Sequence, residues 1–107
     1  MTQIITTHKN TDFDAFASMV AATLIHPEAV PAIPKTINPN VRAFISIHKD
    51  LFDYVDRWQI ETGKITRLIA VDTADWSRLG PIAKLKARQN LEVLVYDHHN
   101  DGDIHAN

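Results

Sequence analysis

Short apolar runs alternate with helical segments along this chain, and three of those runs end abruptly in aspartate or histidine. Residues 3–7 (QIITT), 67–71 (RLIAV) and 91–96 (LEVLVY) are too short for buried helices and rich in the β-branched residues that suit strands. A weaker strand, residues 29–33 (AVPAI), carries Pro31 and is followed by Pro34. Proline cannot donate to a ladder, which confines that strand to a sheet edge. From Asp12 or Phe13 to Ile25, the residues Phe16, Met19, Val20, Ala22 and Thr23 recur near helical spacing. Almost no charge follows Asp14, so this helix is expected to be covered on most sides. Asn38-Pro39 starts a second helix, Asn as N-cap and Pro in the first turn, with Val41, Phe44, Ile45 and His48 on one face up to about Lys49. Residues 50–62 give no firm element, although Trp58 and Ile60 are expected at the edge of the core. A third helix is expected from about Arg78 to Arg88, with Pro81 in its first turn. The order β-α-β-α-β-α-β demands parallel strands joined by right-handed crossovers, a three-layer α/β/α fold. With the second strand at the edge, the strand order is 2-1-3-4.

A chain of 107 residues holds one domain with one core. Its net charge of -2 argues against a broad nucleic-acid or lipid footprint, although a local basic groove would escape that argument. Cysteine is absent, so any metal must be held by oxygen and imidazole. No basic segment followed by an apolar core opens the chain and no long apolar run occurs, so no membrane partner is expected and the expected compartment is the cytoplasm. Of the 13 acidic residues, 10 are Asp, which favours caps, turns and metal loops over helix interiors.

Those aspartates gather after strands. His8, Asp12 and Asp14 form an H-x-x-x-D-x-D pattern after the first strand, Asp72 and Asp75 follow the third, and Asp97-His98-His99 follows the fourth. Each cluster has a plain reading: Asp12 or Asp14 as a helix cap, Asp72 as a strand-ending residue, the histidine pair as a solvated loop. In a 2-1-3-4 sheet, however, all three fall at the carboxyl ends of adjacent strands, where parallel α/β sheets bind ligands. Carboxylate with imidazole suits Mn²⁺, Mg²⁺, Fe²⁺ or Co²⁺, with Zn²⁺ also compatible.

H-x-x-x-D-x-D, then a lone Asp after an apolar strand, then D-H-H after the next, resembles the first three motifs of the DHH phosphoesterase superfamily. That superfamily includes family II inorganic pyrophosphatases, exopolyphosphatases, RecJ-type exonucleases, oligoribonucleases and cyclic-dinucleotide hydrolases. The segment from Ile5 to Ala22 and the helix after Asn38-Pro39 look similar to the DHH module fused to CBS pairs and a tRNA nucleotidyltransferase/poly(A) polymerase domain. The resemblance implies that His8 and Asp12 bind one metal, Asp14 and His98 the other, and that Asp72 bridges them. Asp97 would orient a histidine ligand, and His99 would donate to the substrate phosphate. Two ions, Mn²⁺ foremost and Mg²⁺ or Co²⁺ as alternatives, would then support hydrolysis of a phosphoanhydride or phosphodiester. The substrate would be a phosphate-containing small molecule or a short oligonucleotide.

The family's fourth motif, an Asp on a later strand, has no counterpart here, and neither has its C-terminal domain. Residues 1–107 are therefore expected to be the N-terminal part of a DHH domain, a fragment with weak activity of its own. The remaining histidines have plain readings: His26 facing solvent at a helix end, His48 packing, His105 in a loop. Trp76 is the better candidate of the two tryptophans for contact with a base. A dinucleotide-binding Rossmann domain is disfavoured, because no glycine-rich turn follows the first strand. A non-catalytic metal- or nucleotide-binding regulatory module of a larger RNA-processing protein is the competing reading. Because LEVLVY would form an apolar edge, the fragment is expected to self-associate into a homo-oligomer. Light scattering should therefore show a mass above that of one chain, and a clean monomer would contradict this.

Overall fold

The computed structural model describes residues 2–48, 54–56, 60–88, 90–97 and 102–104. Five parallel strands form one sheet in the order β3-β2-β1-β4-β5. They are β1 (Thr2–Thr6), β2 (Val30–Ile33), β3 (Val55–Asp56), β4 (Ile65–Val71) and β5 (Glu92–Tyr96). The expected 2-1-3-4 order is that of β2, β1, β4 and β5. The second strand is not the edge, however, because β3 pairs outside it, Ala32 with Val55 and Ile33 with Asp56. That ladder runs between Pro31 and Pro34, so neither proline is asked for a hydrogen bond in it. β3 has two residues and no alternation of its own, which is why residues 50–62 gave no strand signal.

Alternation divides the core. Ile4, Ala32, Leu68, Ala70 and Val93 lie in one buried cluster, and Ile5, Ile33, Ile69 and Val71 in the other, as two-residue periodicity requires. Ile65 joins Leu68 on the first face because the β1–β4 register shifts between Thr2 and Gln3, from Thr2↔Ile65 to Gln3↔Arg67.

Helices α1 (Phe13–Ile25) and α2 (Pro39–Ile47) cover the second face. Asp12 caps α1 by accepting a hydrogen bond from the Ala15 amide at 2.9 Å, and Pro27 follows just beyond its end. Met19 and Ala22 point into the core. Asn38 caps α2 through the Asn40 amide at 2.9 Å, while Val41 and Ile45 are buried. The Phe44 ring meets Phe13 and Phe16 edge-on, both at 5.9 Å, and lies 4.4 Å from His48, the packing role expected of that histidine.

The other face is covered by 3-10 helices, Trp76–Arg78 and Gly80–Ala87, rather than the single longer helix expected from Arg78 to Arg88. Leu79 lies between the two, Gly80 opens the second at φ 60°, and Pro81 lacks an amide proton. The buried residues are Leu79, Ile82 and Leu85, a spacing of three that stacks them on one edge of a 3-10 helix. Trp76 is buried in this cluster too, which removes it as a base-stacking surface. Ile60 packs against the same cluster, at the core edge as expected, while Trp58 lies outside the described residues.

His26 is also corrected. It is buried, with Nε2 2.9 Å from the Tyr96 hydroxyl, a partner 70 residues away that no local pattern announces.

The segment at residues 102–104 returns over the loop after β4. The Ile104 amide donates to the Ala74 carbonyl at 2.7 Å, and a Cβ on Gly102 would overlap that carbonyl and the Ala74 side chain. Gly102→Ala should therefore cost about 1–3 kcal/mol in urea unfolding. Gly63→Ala, with nothing within 4 Å of the added atom, should be neutral or stabilising by up to about 1 kcal/mol.

Candidate metal centre

Strand order reverses between β1 and β4: the chain moves one way from β1 to β2 and β3, and the other way from β4 to β5. Crevices at such switch points, beyond the carboxyl ends of the strands, are where open α/β sheets bind ligands. His8 follows β1 and Asp72 follows β4, so both stand at this crevice.

The loop after β1 is held on both sides. The Lys9 amide donates to the Arg78 carbonyl at 2.9 Å, and the Asn10 amide to the Thr36 carbonyl at 2.8 Å. Asn10 adopts φ 59°, and the Thr11 hydroxyl closes the loop onto the His8 carbonyl at 2.9 Å. Asp72 is also left-handed, at φ 56°, a conformation that Asn and Asp tolerate better than other side chains. Its amide donates to the Tyr96 carbonyl at 2.9 Å, which fixes the turn against the end of β5. Asp97 comes next after Tyr96.

These constraints bring side chains from two loops together. One ligand atom each from His8, Asp12 and Asp72 lies within 4.8 Å of the others. His8 is 5% exposed, and its Nδ1 is 2.8 Å from the Lys9 carbonyl oxygen. A carbonyl can only accept, so Nδ1 carries the proton and the Nε2 of a neutral ring presents a lone pair. That Nε2 lies 3.2 Å from Asp72 Oδ2, another acceptor. Two lone pairs at this distance repel unless a proton or a cation lies between them. A histidine whose far nitrogen is locked to a backbone carbonyl is the arrangement that metal-binding imidazoles adopt. The residues present thus fit a divalent ion.

Asp12 serves two ends: one carboxylate oxygen holds the Ala15 amide while the group also reaches the cluster. Asp14, in the first turn of α1, is exposed and outside this three-residue group. Asp75 is likewise outside it; its amide donates to the Thr73 hydroxyl at 3.3 Å. His98, His99 and His105 lie outside the described residues.

Asp103 supports the loop after β4 in a way that the spacing of the chain did not suggest. Its carboxylate accepts from the Trp76 amide at 2.9 Å and from Lys86 Nζ at 3.2 Å. The Trp76 amide first, and Lys86 second, hold its pKa below the usual carboxylate value.

The family model for the DHH family, N-terminal domain, matches residues 2–107. The A-adding tRNA nucleotidyltransferase of Geobacter sulfurreducens is 35% identical over 104 residues, covering 94% of this chain and 12% of that protein. The chain thus spans a small part of the length of this curated relative.

The two duties of Asp12 can be separated. Asp12→Ala should lose about 0.5–2 kcal/mol of stability with the cap, whereas Asp12→Asn, still a good cap, should lose a few tenths at most. Both should weaken Mn²⁺ binding measured by calorimetry. Unaltered binding in Asp12→Asn would confine this residue to capping.

Proposed function

The chain belongs to the DHH family, and from that membership we propose that it carries the metal-binding part of a divalent-metal phosphohydrolase. The reaction is hydrolysis of a phosphoanhydride or phosphodiester, as in exopolyphosphatases, pyrophosphatases and oligonucleotide phosphodiesterases. The observation that supports this most is the 3.2 Å approach of His8 Nε2 to Asp72 Oδ2 with Asp12 beside them.

In this reading His8 and Asp12 would hold one ion, Asp14 and His98 would hold a second, and Asp72 would serve both. Mn²⁺ is the preferred ion, with Mg²⁺ or Co²⁺ as alternatives. Divalent ions there would polarise phosphoryl oxygens and supply hydroxide at neutral pH. The chain's own contribution is positioning. The Lys9 carbonyl fixes the His8 ring, the Ala15 amide fixes one Asp12 oxygen, and the Tyr96 carbonyl fixes the backbone of Asp72. Asp12, the N-cap, places the amino end of α1 beside the same crevice, and the helix dipole there favours an anionic substrate. Asp97 would orient a histidine, and His99 would donate to the phosphate. The rest of the substrate grip, including a further metal ligand, would come from other parts of a longer protein.

A second reading is favoured by the similarity to an A-adding tRNA nucleotidyltransferase. The domain could serve a larger RNA-processing protein as a metal- or nucleotide-binding regulatory module without turnover. We assign the cytoplasm in either case; among the described residues no helix is long and apolar enough to cross a membrane.

Mn²⁺ at a hundredfold excess over its Kd should raise the melting temperature by at least about 10 °C, if it binds only the folded state. Asp72→Asn, which keeps a side chain tolerant of the left-handed backbone, should abolish most of that shift. An equal shift in both proteins would contradict the metal centre. A full shift in wild type without hydrolysis of pyrophosphate or a dinucleotide by the longer protein would favour the regulatory reading.

A further inference from the structure

A cleft of about 360 Å³ opens between the end of β2, the side of α2 and Tyr54, outside the His8–Asp12–Asp72 group. Ile37 presents the apolar side of the cleft with the buried Ile33 and Ile45 behind it, and Lys35, Arg42 and Tyr54 stand around them. Ile33 and Ile45 belong to the packed core, so this wall is rigid rather than a loose surface. Arg42 donates to the Lys35 carbonyl at 3.1 Å, which holds the guanidinium near the lysine and leaves other N–H donors for a ligand. Among the described residues neither cation pairs with a carboxylate, and no carboxylate lines the cleft. In a chain of net charge -2, two such cations at one concavity are the local basic groove that the overall charge conceals.

We infer that this cleft binds one nucleotide unit. Its volume is at the small end of small-molecule sites, about 300–1,000 Å³, which suits one ring with one phosphate rather than a longer ligand. An apolar wall beside a tyrosine takes the face of a base. Lysine and arginine together take the phosphate, the arginine through paired N–H donors. A purely inorganic phosphate or polyphosphate would leave the apolar wall unused. The unit is either a free mononucleotide or the end of an oligonucleotide, and the two share this chemistry. The cleft also adjoins the metal-centre loop. Lys35 is followed by Thr36, whose carbonyl accepts from Asn10, and the Asn38 amide donates to Thr11.

The test is a set of NMR titrations of the isotope-labelled chain in EDTA with AMP, triadenylate, adenosine and inorganic phosphate. AMP should shift the amides of Ile37, Arg42, Ser46 and Tyr54 with a Kd on the order of 1 mM or below. Adenosine and phosphate should each bind at least tenfold more weakly. Triadenylate binding more tightly than AMP identifies an oligonucleotide end, and equal affinity identifies a free nucleotide. The double variant Lys35→Ala/Arg42→Ala should weaken AMP at least tenfold while the rest of the spectrum stays in place. Lys35→Glu, at an exposed position outside any helix or strand, provides a second variant with the same expectation. Shifts confined to other residues, phosphate binding as tightly as AMP, or affinity unchanged in the charge variants would overturn the inference. Because EDTA is present throughout, these titrations succeed or fail independently of the metal-centre reading.

Discussion

The pairing of β1 with β4 is the constraint on which the rest of the site depends. From Gln3 onward the partners are 64 residues apart, Gln3 with Arg67 through Thr6 with Ala70. The same offset continues past the strands, where the Thr7 hydroxyl donates to the Val71 carbonyl at 2.7 Å and His8 meets Asp72. The irregularity between Thr2 and Gln3 sets this offset, because Thr2 pairs with Ile65 one residue short of it. Had that earlier register continued, His8 would face Val71, an apolar core residue. A one-residue slip in a parallel ladder exchanges the faces of every side chain, so the same bulge that assigns Ile65 to the core assigns Asp72 to histidine.

The loops at this crevice give up stability for position. Two non-glycine residues, Asn10 and Asp72, are left-handed, each at a cost on the order of 1 kcal/mol. The buried His8 Nε2 stands 3.2 Å from Asp72 Oδ2, and Asp12 adds a further carboxylate nearby. Neighbouring backbone holds the arrangement: Thr36 from beyond β2, Arg78 from the 3-10 turn and Tyr96 from β5. A cation there would meet ligand atoms already in place on a fixed scaffold, which is how folding energy prepays the positioning of ligands.

Strand order, the two α-helices and their caps were legible because each rests on local signals. Short β-branched runs, the acid-free face of α1 and the Asn38-Pro39 start are patterns within a few residues. The meeting of His8 and Asp12 with Asp72 follows from parallel topology, which carries the loops after β1 and β4 to one edge, while His98 and His99 after β5 lie outside the described residues. What could not be read rests on distant partners or on very short elements. Burial of His26 depends on Tyr96, and support of Trp76 depends on Asp103. β3 is too short for periodicity, and it moves β2 off the sheet edge. The three-residue spacing of Leu79, Ile82 and Leu85 was present in the sequence, but both helix types place i and i+3 on one face and Pro81 in a first turn suits both. Whether Asp14 joins Asp12 in the site depends on more than their two-residue spacing: both are exposed, but only Asp12 has an oxygen within 4.8 Å of ligand atoms of His8 and Asp72.

Anomalous scattering from crystals grown with Mn²⁺, collected at the manganese edge, tests the central claim most directly. The account predicts a peak about 2.0–2.6 Å from His8 Nε2 and from carboxylate oxygens of Asp12 and Asp72. A fully folded chain whose ordered manganese sits elsewhere, with His8 and Asp72 still in direct contact, would contradict it.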